Sequence, residues 1–516
     1  MKSIKQLRER GLTIASIAIL FFTRFYRLGL DITHNDAFYF KNNSYLFSQN
    51  IKSGIPKFFL TIQPGLLTVY SNILGYKAFF LMLKLSLIKA SGKEVDLLVH
   101  TFQKIPQTSL NILVVLYIAY LLKNKLKILG KHYQISLFIL FMALEPDFIL
   151  HSRVIQNDML QGLLILASLI TYYYSRVSKK NKWNLFSGFL GGLSFLQKSS
   201  SIVLLGFIFL FEIYKNKKLL LNYKFKQTGL NIFKNAGLFL LAFSATTYIL
   251  FPAYWFEPLE TLKKMTLTII FKSRGLESDF GFAKTPHIQE KMYYTKYFLV
   301  KYSLFYLFGI ALTLYQLYFS KIHKKTKRFL LYLIYFSIFY VILLHISEKK
   351  IFRYMLVPTA ILTPIAAFGY SYIFRKKERY LALLISIYLL FSFYTFISYF
   401  PDFGLYKNSG AKIIRYELPI DPYKGYVEGG TGLYKLAQYL NSKYPNKNVS
   451  LPRSDGIRLY LKASANELNF SKLEKSDDLV ILNAKDPKIN TLIKIGYTPI
   501  DTYYIRDGFG FTILGK

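Results

Sequence analysis

Two aspartates at the ends of long apolar runs are the residues of this sequence best placed to do chemistry. Asp36 comes soon after the first run, within a polar segment, and Asp158 directly precedes a later run. A carboxylate at the end of a membrane helix can act as a general base or as a metal ligand. An aspartate there is also typical of a helix N-cap or a turn. We favour the chemical interpretation, because Arg27 and Asp158 are expected to face the same cavity as Asp36.

A basic cluster formed by Lys349, Lys350 and Arg353 is the second candidate. It follows a long apolar run, at the end that the charge pattern described below assigns to the outside. Basic residues are uncommon on that side of a membrane protein. We interpret the cluster as a phosphate site, because a guanidinium binds phosphate bidentately and lysines add positive charge. Contacts with anionic lipid headgroups, or a wrong number of spans, are the alternative explanations.

Arg153 and Lys198 are further cations at the ends of apolar runs. Arg153 precedes Asp158 by five residues, so the two need not share one helical face. It either binds a substrate phosphate or anchors its helix to lipid headgroups. Lys198 lies between two apolar runs, and a lysine at mid-bilayer costs about 2.5–3.5 kcal/mol on insertion scales. We therefore interpret Lys198 first as a lysine whose side chain extends to the headgroups.

Motifs of several other enzyme classes are missing from the sequence. The seven histidines have no spacing typical of a zinc site, and the absence of cysteine excludes disulfides, thiolate metal sites and a cysteine nucleophile. The phosphate-binding loop of NTPases, the dinucleotide fingerprint and the serine-hydrolase elbow are also missing. Carboxylates alone can hold Mg²⁺ or Mn²⁺, so a divalent cation stays an open possibility and its ligands are unknown.

The composition indicates the elements that must position these residues. The chain has 516 residues, of which 53% are hydrophobic and 18% aromatic. The mean hydropathy is +0.27. The apolar residues fall in runs of about 20, the length that an α-helix needs to cross a bilayer. We therefore predict a mostly α, polytopic helical membrane protein.

The net charge of +39 supports the same conclusion. Many lysines and arginines lie in short connectors between apolar runs, as expected for the cytoplasmic side of a membrane protein, and a nucleic-acid partner is not indicated. Alternation from a cytoplasmic N-terminus gives about 11 transmembrane helices, the first being an uncleaved span at about 11–30. The other predicted spans lie at about 105–122, 133–150, 159–175, 185–197 with 201–214, 235–251, 297–318, 329–345, 354–373 and 380–400.

Residues 1–400 are thus predicted to form the membrane domain. It contains a long first external loop at 31–100, with amphipathic pieces such as 75–90, and a later external loop at 252–296. Residues 401–516 are more polar and are predicted to form a small extracytoplasmic α/β domain. A helix is expected around Leu433–Leu440, a buried strand at Asp478–Asn483 and a closing hairpin with a turn at Asp507-Gly508.

Taken in order, the motifs resemble the GT-C superfamily of integral-membrane glycosyltransferases, most closely its protein O-mannosyltransferase and lipid A aminoarabinose transferase branch. The matching segments are Asn35-Asp36-Ala-Phe-Tyr39, Gln63-Pro64-Gly65, Ser152-Arg153 to Asp158, Gly192-Leu193 to Lys198, Pro252 to Pro258, Phe280-Gly281 to Tyr293-Tyr294, Lys350-x-x-Arg353-Tyr354 with Pro358, Ser398 to Lys412, and Gly432-Leu433 to Leu440-Asn441. The family has an Asp-Glu pair where this sequence has Asn35-Asp36-Ala37, so one carboxylate of the pair is missing.

The resemblance implies an inverting hexosyl- or pentosyltransferase of the cell envelope, mannosyltransferase-like, in the plasma membrane. Its donor would be a polyprenyl-phosphate sugar, and its acceptor a hydroxyl of a protein, lipid or glycan. Asp36 would take the acceptor proton and Asp158 would assist. Lys349, Lys350, Arg353 and Arg153 would bind the donor phosphate, with support from Asn35, Arg27, Gln63 and Lys198.

Two other functions fit the same residues. A transporter or flippase for a lipid-linked sugar would share the spans and the basic residues, but it would not need a base in the first loop and would more often have internal repeats. A non-catalytic binding relative would be consistent with the missing carboxylate.

Overall fold

A computed structural model describes most of the chain. The described residues are 2–30, 35–53, 65–217, 221, 225–274, 292–348, 350–373, 378–414, 432–451, 457, 460–468, 479–484, 486, 488–506 and 509–515. The predicted site residues Gln63 and Lys349 lie outside these ranges, as do the predicted turn at Asp507-Gly508 and residues 275–291 of the later loop.

Helices make up most of the described residues among the first 400, as the composition predicts. The first nine are α1 (Lys2–Phe25), α2 (Asn35–Ser53), α3 (Leu66–Lys84), α4 (Lys93–Tyr120, continued by a π-turn at Leu121–Lys125), α5 (His132–Leu144), α6 (Pro146–Arg153), α7 (Asp158–Ser178), α8 (Asn181–Gln197) and α9 (Val203–Lys215). They are followed by α10 (Phe225–Leu250), α11 (Ala253–Phe256), α12 (Pro258–Ser273), α13 (Tyr293–Lys301), α14 (Leu304–Phe319), α15 (Lys324–Ile346), α16 (Leu356–Ile373) and α17 (Glu378–Tyr399).

Several of these helices are suited to cross a membrane. Within the described ranges, six helices are long and apolar enough by length and composition, and up to eight if each of two bent pairs is counted as one span. The polytopic helical architecture is therefore confirmed, whereas the number of about 11 spans stays a prediction. The described residues of segment 31–100 are largely helical and include α3, which is one of the six.

Two helix pairs are each bent at a short break, and hydrogen bonds join one break to the other. Helices α5 and α6 meet at 64°, and α13 and α14 meet at 112°. Glu145 lies at the first break, where its carboxylate accepts hydrogen bonds from the Ser303 backbone N–H at 2.8 Å and from the Ser303 hydroxyl at 2.5 Å at the second break. The Tyr388 hydroxyl of α17 donates to the same carboxylate at 3.1 Å. The buried carboxylate of Glu145 thus joins the two bends. The pattern of apolar residues in the sequence does not indicate this contact.

Asp147 strengthens the same junction. Its two carboxylate oxygens accept hydrogen bonds from the Tyr297 hydroxyl at 2.8 Å and the Tyr302 hydroxyl at 2.9 Å. The Glu145-Pro146-Asp147 segment, which falls within the predicted span at 133–150, therefore connects α6 to the α13–α14 bend.

Close contact between α8 and α10 fixes the end of α8. A Cβ atom added at Gly188 would lie 2.3 Å from the Phe239 carbonyl oxygen, and one added at Gly192 would lie 2.8 Å from that of Phe243. Small residues of this kind let membrane helices approach closely. The position of Lys198, the residue directly after α8, follows from that packing.

The C-terminal part has the predicted α/β character. The helices are α18 (Gly410–Ile413), α19 (Leu433–Lys443) and α20 (Lys488–Lys494), and the strands are β1 (Val449–Leu451), β2 (Ala465–Glu467), β3 (Leu479–Asn483), β4 (Thr498–Arg506) and β5 (Phe509–Gly515). The sheet has the order β2-β1-β3-β5-β4, in which β1 runs parallel to β2 and β3 while β5 pairs antiparallel with β3 and β4. The buried face of α19 is formed by Leu433, Leu436, Ala437 and Leu440, as the periodicity predicts.

Asp402, three residues after α17, contacts the start of α19. Its carboxylate accepts the Gly432 N–H at 2.7 Å, just before α19, and lies 2.9 Å from the Lys435 ammonium. Burial raises the pKa of Asp402, and Lys435 opposes that effect. The division at residue 400 and the external location of the domain stay predictions.

Replacing Glu145 with alanine tests the junction of the broken helices. The Ser303 N–H and hydroxyl and the Tyr388 hydroxyl would lose an acceptor, and each buried unsatisfied donor costs about 1–3 kcal/mol. We expect the free energy of unfolding in detergent to fall by about 3 kcal/mol or more in this variant. The matched control is Glu260→Ala, which removes a half-exposed carboxylate 3.5 Å from Lys264 and should shift stability little. Equal shifts in the two variants would contradict the role of Glu145.

Candidate active site

Arg353 lies between two carboxylates from distant parts of the chain. It belongs to a 3₁₀ turn, Phe352–Met355, directly before α16. Its Nη1 donates to Asp36 Oδ2 at 2.8 Å, and its Nε lies 3.4 Å from Asp158 Oδ2. The structure therefore places Asp36, Asp158 and Arg353 in one site, as their positions at the ends of predicted spans suggested.

Lys198 extends this arrangement to four charges. Its ammonium donates to Asp158 Oδ1 and lies 4.0 Å from the centroid of the Tyr354 ring. The side-chain charges thus alternate in sign along the series Asp36, Arg353, Asp158 and Lys198. We refer to these four residues as the charge chain. The side chain of Lys198 is buried and paired, so it does not extend to the headgroups as interpreted from the sequence.

Exposure distinguishes the two ends of the charge chain. The Asp158 and Lys198 side chains are 2% and 6% exposed, whereas those of Arg353 and Asp36 are 12% and 28% exposed. Asp36 is therefore the most exposed of the four residues of the charge chain. The buried pair holds Arg353, and Arg353 in turn orients the Asp36 carboxylate.

Helix ends explain why these charges meet. Asp36 lies in the first turn of α2, and Asp158 is the first residue of α7. The N-terminus of a helix favours a carboxylate through its exposed N–H groups and its dipole. The Asn157 side chain donates to the Gln197 carbonyl oxygen at 3.1 Å and so joins the start of α7 to the end of α8, where Lys198 follows.

Gln156 contacts Asp158, and His151 in turn contacts Gln156. The Gln156 Nε2 donates to Asp158 Oδ2 at 2.6 Å, and its Oε1 lies 2.9 Å from His151 Nδ1. Since an ionised carboxylate can only accept, the Gln156 amide oxygen must face His151, and the Nδ1 of His151 must carry the hydrogen. No sequence motif singles out either residue. Their only signal was their proximity in sequence to Asp158.

Arg153 makes different contacts from those predicted. Its Nη1 donates to the Thr23 carbonyl oxygen at 2.7 Å and its Nη2 to that of Tyr26 at 2.8 Å, at the C-terminal end of α1. Arg24, in the last turn of α1, donates in turn to the carbonyl oxygens of Met142 and Ala143 at the end of α5. Cations at helix C-termini are stabilising, because they bind carbonyl groups that the helix leaves unsatisfied. These contacts join both terminal nitrogens of Arg153 to backbone oxygens, and its phosphate role stays a prediction.

The remaining predicted residues lie around the site in different ways. The Lys350 ammonium donates to the carbonyl oxygens of His345 and Ser347, each at 2.6 Å, at the C-terminal end of α15. Arg27 is exposed, with φ of 51° and its guanidinium 6.0 Å from the centroid of the Tyr26 ring. Asn35 is the first residue of α2. The phosphate role of Lys350 and the supporting roles of Arg27 and Asn35 stay predictions.

Gly65 is the part of the Gln63-Pro64-Gly65 motif that the structure describes. It has φ of 48°, and a Cβ atom at this position would lie 2.1 Å from the Phe40 ring in α2. A residue without a side chain is therefore needed where α3 begins against α2. The glycine of this motif therefore allows α3 to pack against α2, the helix that carries Asp36.

No group of three or more metal-binding side chains lies together in the described part of the chain. The divalent cation considered from the sequence therefore stays a prediction.

The fold is shared with solved membrane proteins. ArnT from Cupriavidus metallidurans bound to undecaprenyl phosphate matches with a TM-score of 0.54 at 10% identity, over 98% of each chain. The same protein in the apo state matches with a TM-score of 0.53 at 11% identity, also over 98% of each chain. The GT-C resemblance inferred from the motifs is thus confirmed as a likeness of fold.

An archaeal oligosaccharyltransferase is more distant. AglB from Archaeoglobus fulgidus, in complex with an inhibitory peptide and a dolichol-phosphate, matches 90% of this chain and 65% of its own with a TM-score of 0.47 at 13% identity. No protein-family model matches the chain, and no curated protein matches it significantly.

A double-mutant cycle on Asp158 and Lys198 tests the buried half of the charge chain. Asp158→Asn and Lys198→Met each leave a buried charge without its partner, which typically costs about 3–5 kcal/mol. The double variant removes both charges, so we expect it to be less destabilised than the sum of the single variants by about 1–3 kcal/mol. The measurement is thermal or denaturant unfolding in detergent. Additive effects would show that the two residues do not interact.

Proposed function

We propose that this protein is a glycosyltransferase that moves a sugar from a polyprenyl-phosphate donor to an acceptor hydroxyl. The observation that carries the proposal is the accessible Asp36 carboxylate, held by Arg353 at the exposed end of a buried charge chain. The shared fold supports it, since ArnT with that fold binds undecaprenyl phosphate. The missing nucleotide motifs are consistent with a lipid-linked donor, whose anomeric carbon is already activated.

Asp36 acts as the general base in this proposal. Its carboxylate takes the proton of the acceptor hydroxyl while the acceptor oxygen forms a bond to the anomeric carbon of the sugar. The bond between that carbon and the phosphate oxygen breaks on the opposite side, and its electron pair leaves with the polyprenyl phosphate. The configuration at the anomeric carbon is therefore inverted. Protonated Asp36 then returns its proton to water.

Arg353 and Asp158 keep the base in position. The guanidinium of Arg353 donates to Asp36 Oδ2 and so orients the carboxylate that takes the acceptor proton. Arg353 also carries positive charge beside the reacting centre, where it can stabilise the negative charge that develops on the departing phosphate. Asp158 contacts both Arg353 and Lys198 and holds the guanidinium between the carboxylates. Asp158 is thus a positioning residue in this mechanism.

The single aspartate is sufficient for this chemistry. Ala37, at the position next to Asp36, is fully buried, so a second carboxylate there would point into the apolar core. Asp158 provides the second carboxylate instead. It contacts Arg353, and Arg353 orients the base. We propose that the charge chain replaces the missing member of the acidic pair.

The direct test is transfer of sugar from a synthetic polyprenyl-phosphate sugar by the purified full-length protein. We expect Asp36→Asn to reduce kcat by at least about 100-fold, because general base catalysis contributes 10²–10⁴-fold. The matched control is Asp486→Asn, since Asp486 Oδ1 accepts the Lys488 N–H at the start of α20 and asparagine can replace it.

Equal turnover in wild type and Asp36→Asn would remove Asp36 from the mechanism. Movement of the lipid-linked sugar across the bilayer without a glycosylated product would favour a transporter. Donor binding without either result would favour a non-catalytic binding protein.

A further inference from the structure

Arg353 is held from two sides by side chains that also contact one another. On one side, its Nε lies 3.4 Å from Asp158 Oδ2, and that oxygen accepts a hydrogen bond from Gln156 Nε2 at 2.6 Å. On the other side, the preceding residue Phe352 stacks on Tyr297 of α13, with the ring centroids 5.2 Å apart. The contacts of the two sides meet at α6.

Two residues of α6, one helical turn apart, close this series of contacts. The Tyr297 hydroxyl donates to Asp147 Oδ1 at 2.8 Å, and the same oxygen lies 3.6 Å from His151 Nε2. His151 Nδ1 lies 2.9 Å from Gln156 Oε1. The Asp147 and His151 side chains are buried, so water does not compete for these contacts. We refer to the closed series as the contact circuit, which consists of Arg353, Asp158, Gln156, His151, Asp147, Tyr297 and Phe352.

The direction of one hydrogen bond decides how the contact circuit holds Asp158. The Gln156 side-chain amide has a donor end and an acceptor end, and half a turn about its last bond exchanges them. With the oxygen toward Asp158, the amide would face a carboxylate that can only accept. The Nδ1–H of His151 donates to the amide oxygen and so favours the orientation in which the nitrogen faces Asp158. His151 thus acts on Asp158 without contact between the two side chains.

Helix α4 fixes the backbone between α6 and α7. The Gln107 side chain donates to the Gln156 carbonyl oxygen. The Thr108 and Asn111 side chains donate to the Ser152 carbonyl oxygen, at 3.2 Å and 3.3 Å. Because these contacts hold the backbone on both sides of His151-bound Gln156, the orientation of the side-chain amide is the freedom that His151 controls.

We propose that His151 is a positioning residue of the transfer reaction, because it holds Gln156 in the orientation that donates to Asp158. When the amide turns, Asp158 loses this donor and faces an oxygen instead. Its carboxylate then no longer holds Arg353 beside Asp36, and the base loses its orientation. The inference rests on the proposed function, in which Asp36 is the general base.

The experiment compares His151→Asn with His151→Leu in sugar transfer by the purified full-length protein. Asparagine has an amide nitrogen that can take the place of Nδ1, whereas leucine has a similar shape and no donor. Both variants lose the contact with Asp147, so the comparison isolates the hydrogen bond to Gln156.

We expect His151→Leu to lower kcat at least about tenfold, because small displacements of catalytic groups reduce the rate strongly. His151→Asn should retain kcat within about threefold of wild type, because it keeps a donor for Gln156. The KM for donor and acceptor should change by less than about twofold in both variants, since an interaction that acts in the transition state lowers kcat without a matching change in KM. All rates are normalised to the folded protein measured by size-exclusion chromatography.

The matched controls are the same two substitutions at His323, an exposed histidine directly before α15, and both should turn over as wild type does. Gln156→Met is the second variant, because methionine has a similar length and no donor for Asp158. It should show the same loss of kcat, and it decides the question where His151→Leu does not fold.

Three results would overturn the proposal. They are equal kcat in His151→Asn and His151→Leu, wild-type kcat in Gln156→Met, and a loss of kcat in His151→Asn as large as that expected for His151→Leu.

Failure of this inference can be separated from failure of the proposed function by a measurement that needs no substrate. A double-mutant cycle of His151→Leu with Asp158→Asn in thermal unfolding reports whether the two residues are coupled through Gln156. We expect the shift in Tm of the double variant to be smaller than the sum of the single shifts. Such coupling in a protein that transfers no sugar would refute the transferase only. Sugar transfer by wild type with equal kcat in the two His151 variants would refute the positioning role only.

Discussion

The contact of one guanidinium with two carboxylates is the interaction on which the site depends. Arg353 lies in the turn before α16, Asp36 lies at the start of α2 and Asp158 at the start of α7, so the contact requires three separate helix ends to meet. Breaking a buried ion pair by removal of one partner costs about 3–5 kcal/mol, because the other charge stays buried. Asp36 is the most exposed of the charged residues in this arrangement.

Helix ends inside the protein impose a second constraint. The last carbonyl groups of a helix need donors, and burial away from water makes unsatisfied ones costly. Arg153, Arg24 and Lys350 provide such donors at the ends of α1, α5 and α15. Basic residues near the outer ends of the predicted spans therefore serve two purposes, since some complete the backbone hydrogen bonds and others pair with acids. Glu145 does the opposite at the α13–α14 bend, where it accepts from the N–H and the hydroxyl of Ser303.

Much of the architecture and part of the site were predictable from the sequence. The apolar runs gave the helices of the membrane part, and the spacing of Leu433, Leu436, Ala437 and Leu440 gave the buried face of α19. Asp36, Asp158 and Arg353 were expected to lie together, and the structure places them in contact, while their catalytic and binding roles stay predictions.

Contacts with the backbone were not predictable. Arg153 binds carbonyl groups of α1, more than a hundred residues away, and no sequence pattern marks a carbonyl group as an acceptor. Lys198 was expected at the headgroups because its partner, Asp158, lies on another helix. The supporting role of Gln156 depends on a hydrogen bond whose direction only the three-dimensional arrangement determines.

Cross-linking of Asp36 to Arg353 tests the central claim most directly, and the absence of cysteine from the chain makes it clean. The two positions are changed to cysteine together, and the purified protein is treated with a short bifunctional thiol reagent, digested and analysed by mass spectrometry. The control pair is Arg353→Cys with Arg10→Cys, because Arg10 lies about 21 Å along α1 from Arg24. Our account predicts rapid cross-linking of Asp36→Cys with Arg353→Cys and little of the control pair. Cross-linking of the two pairs at equal rates would show that α2 and the turn before α16 do not meet, and would contradict the account.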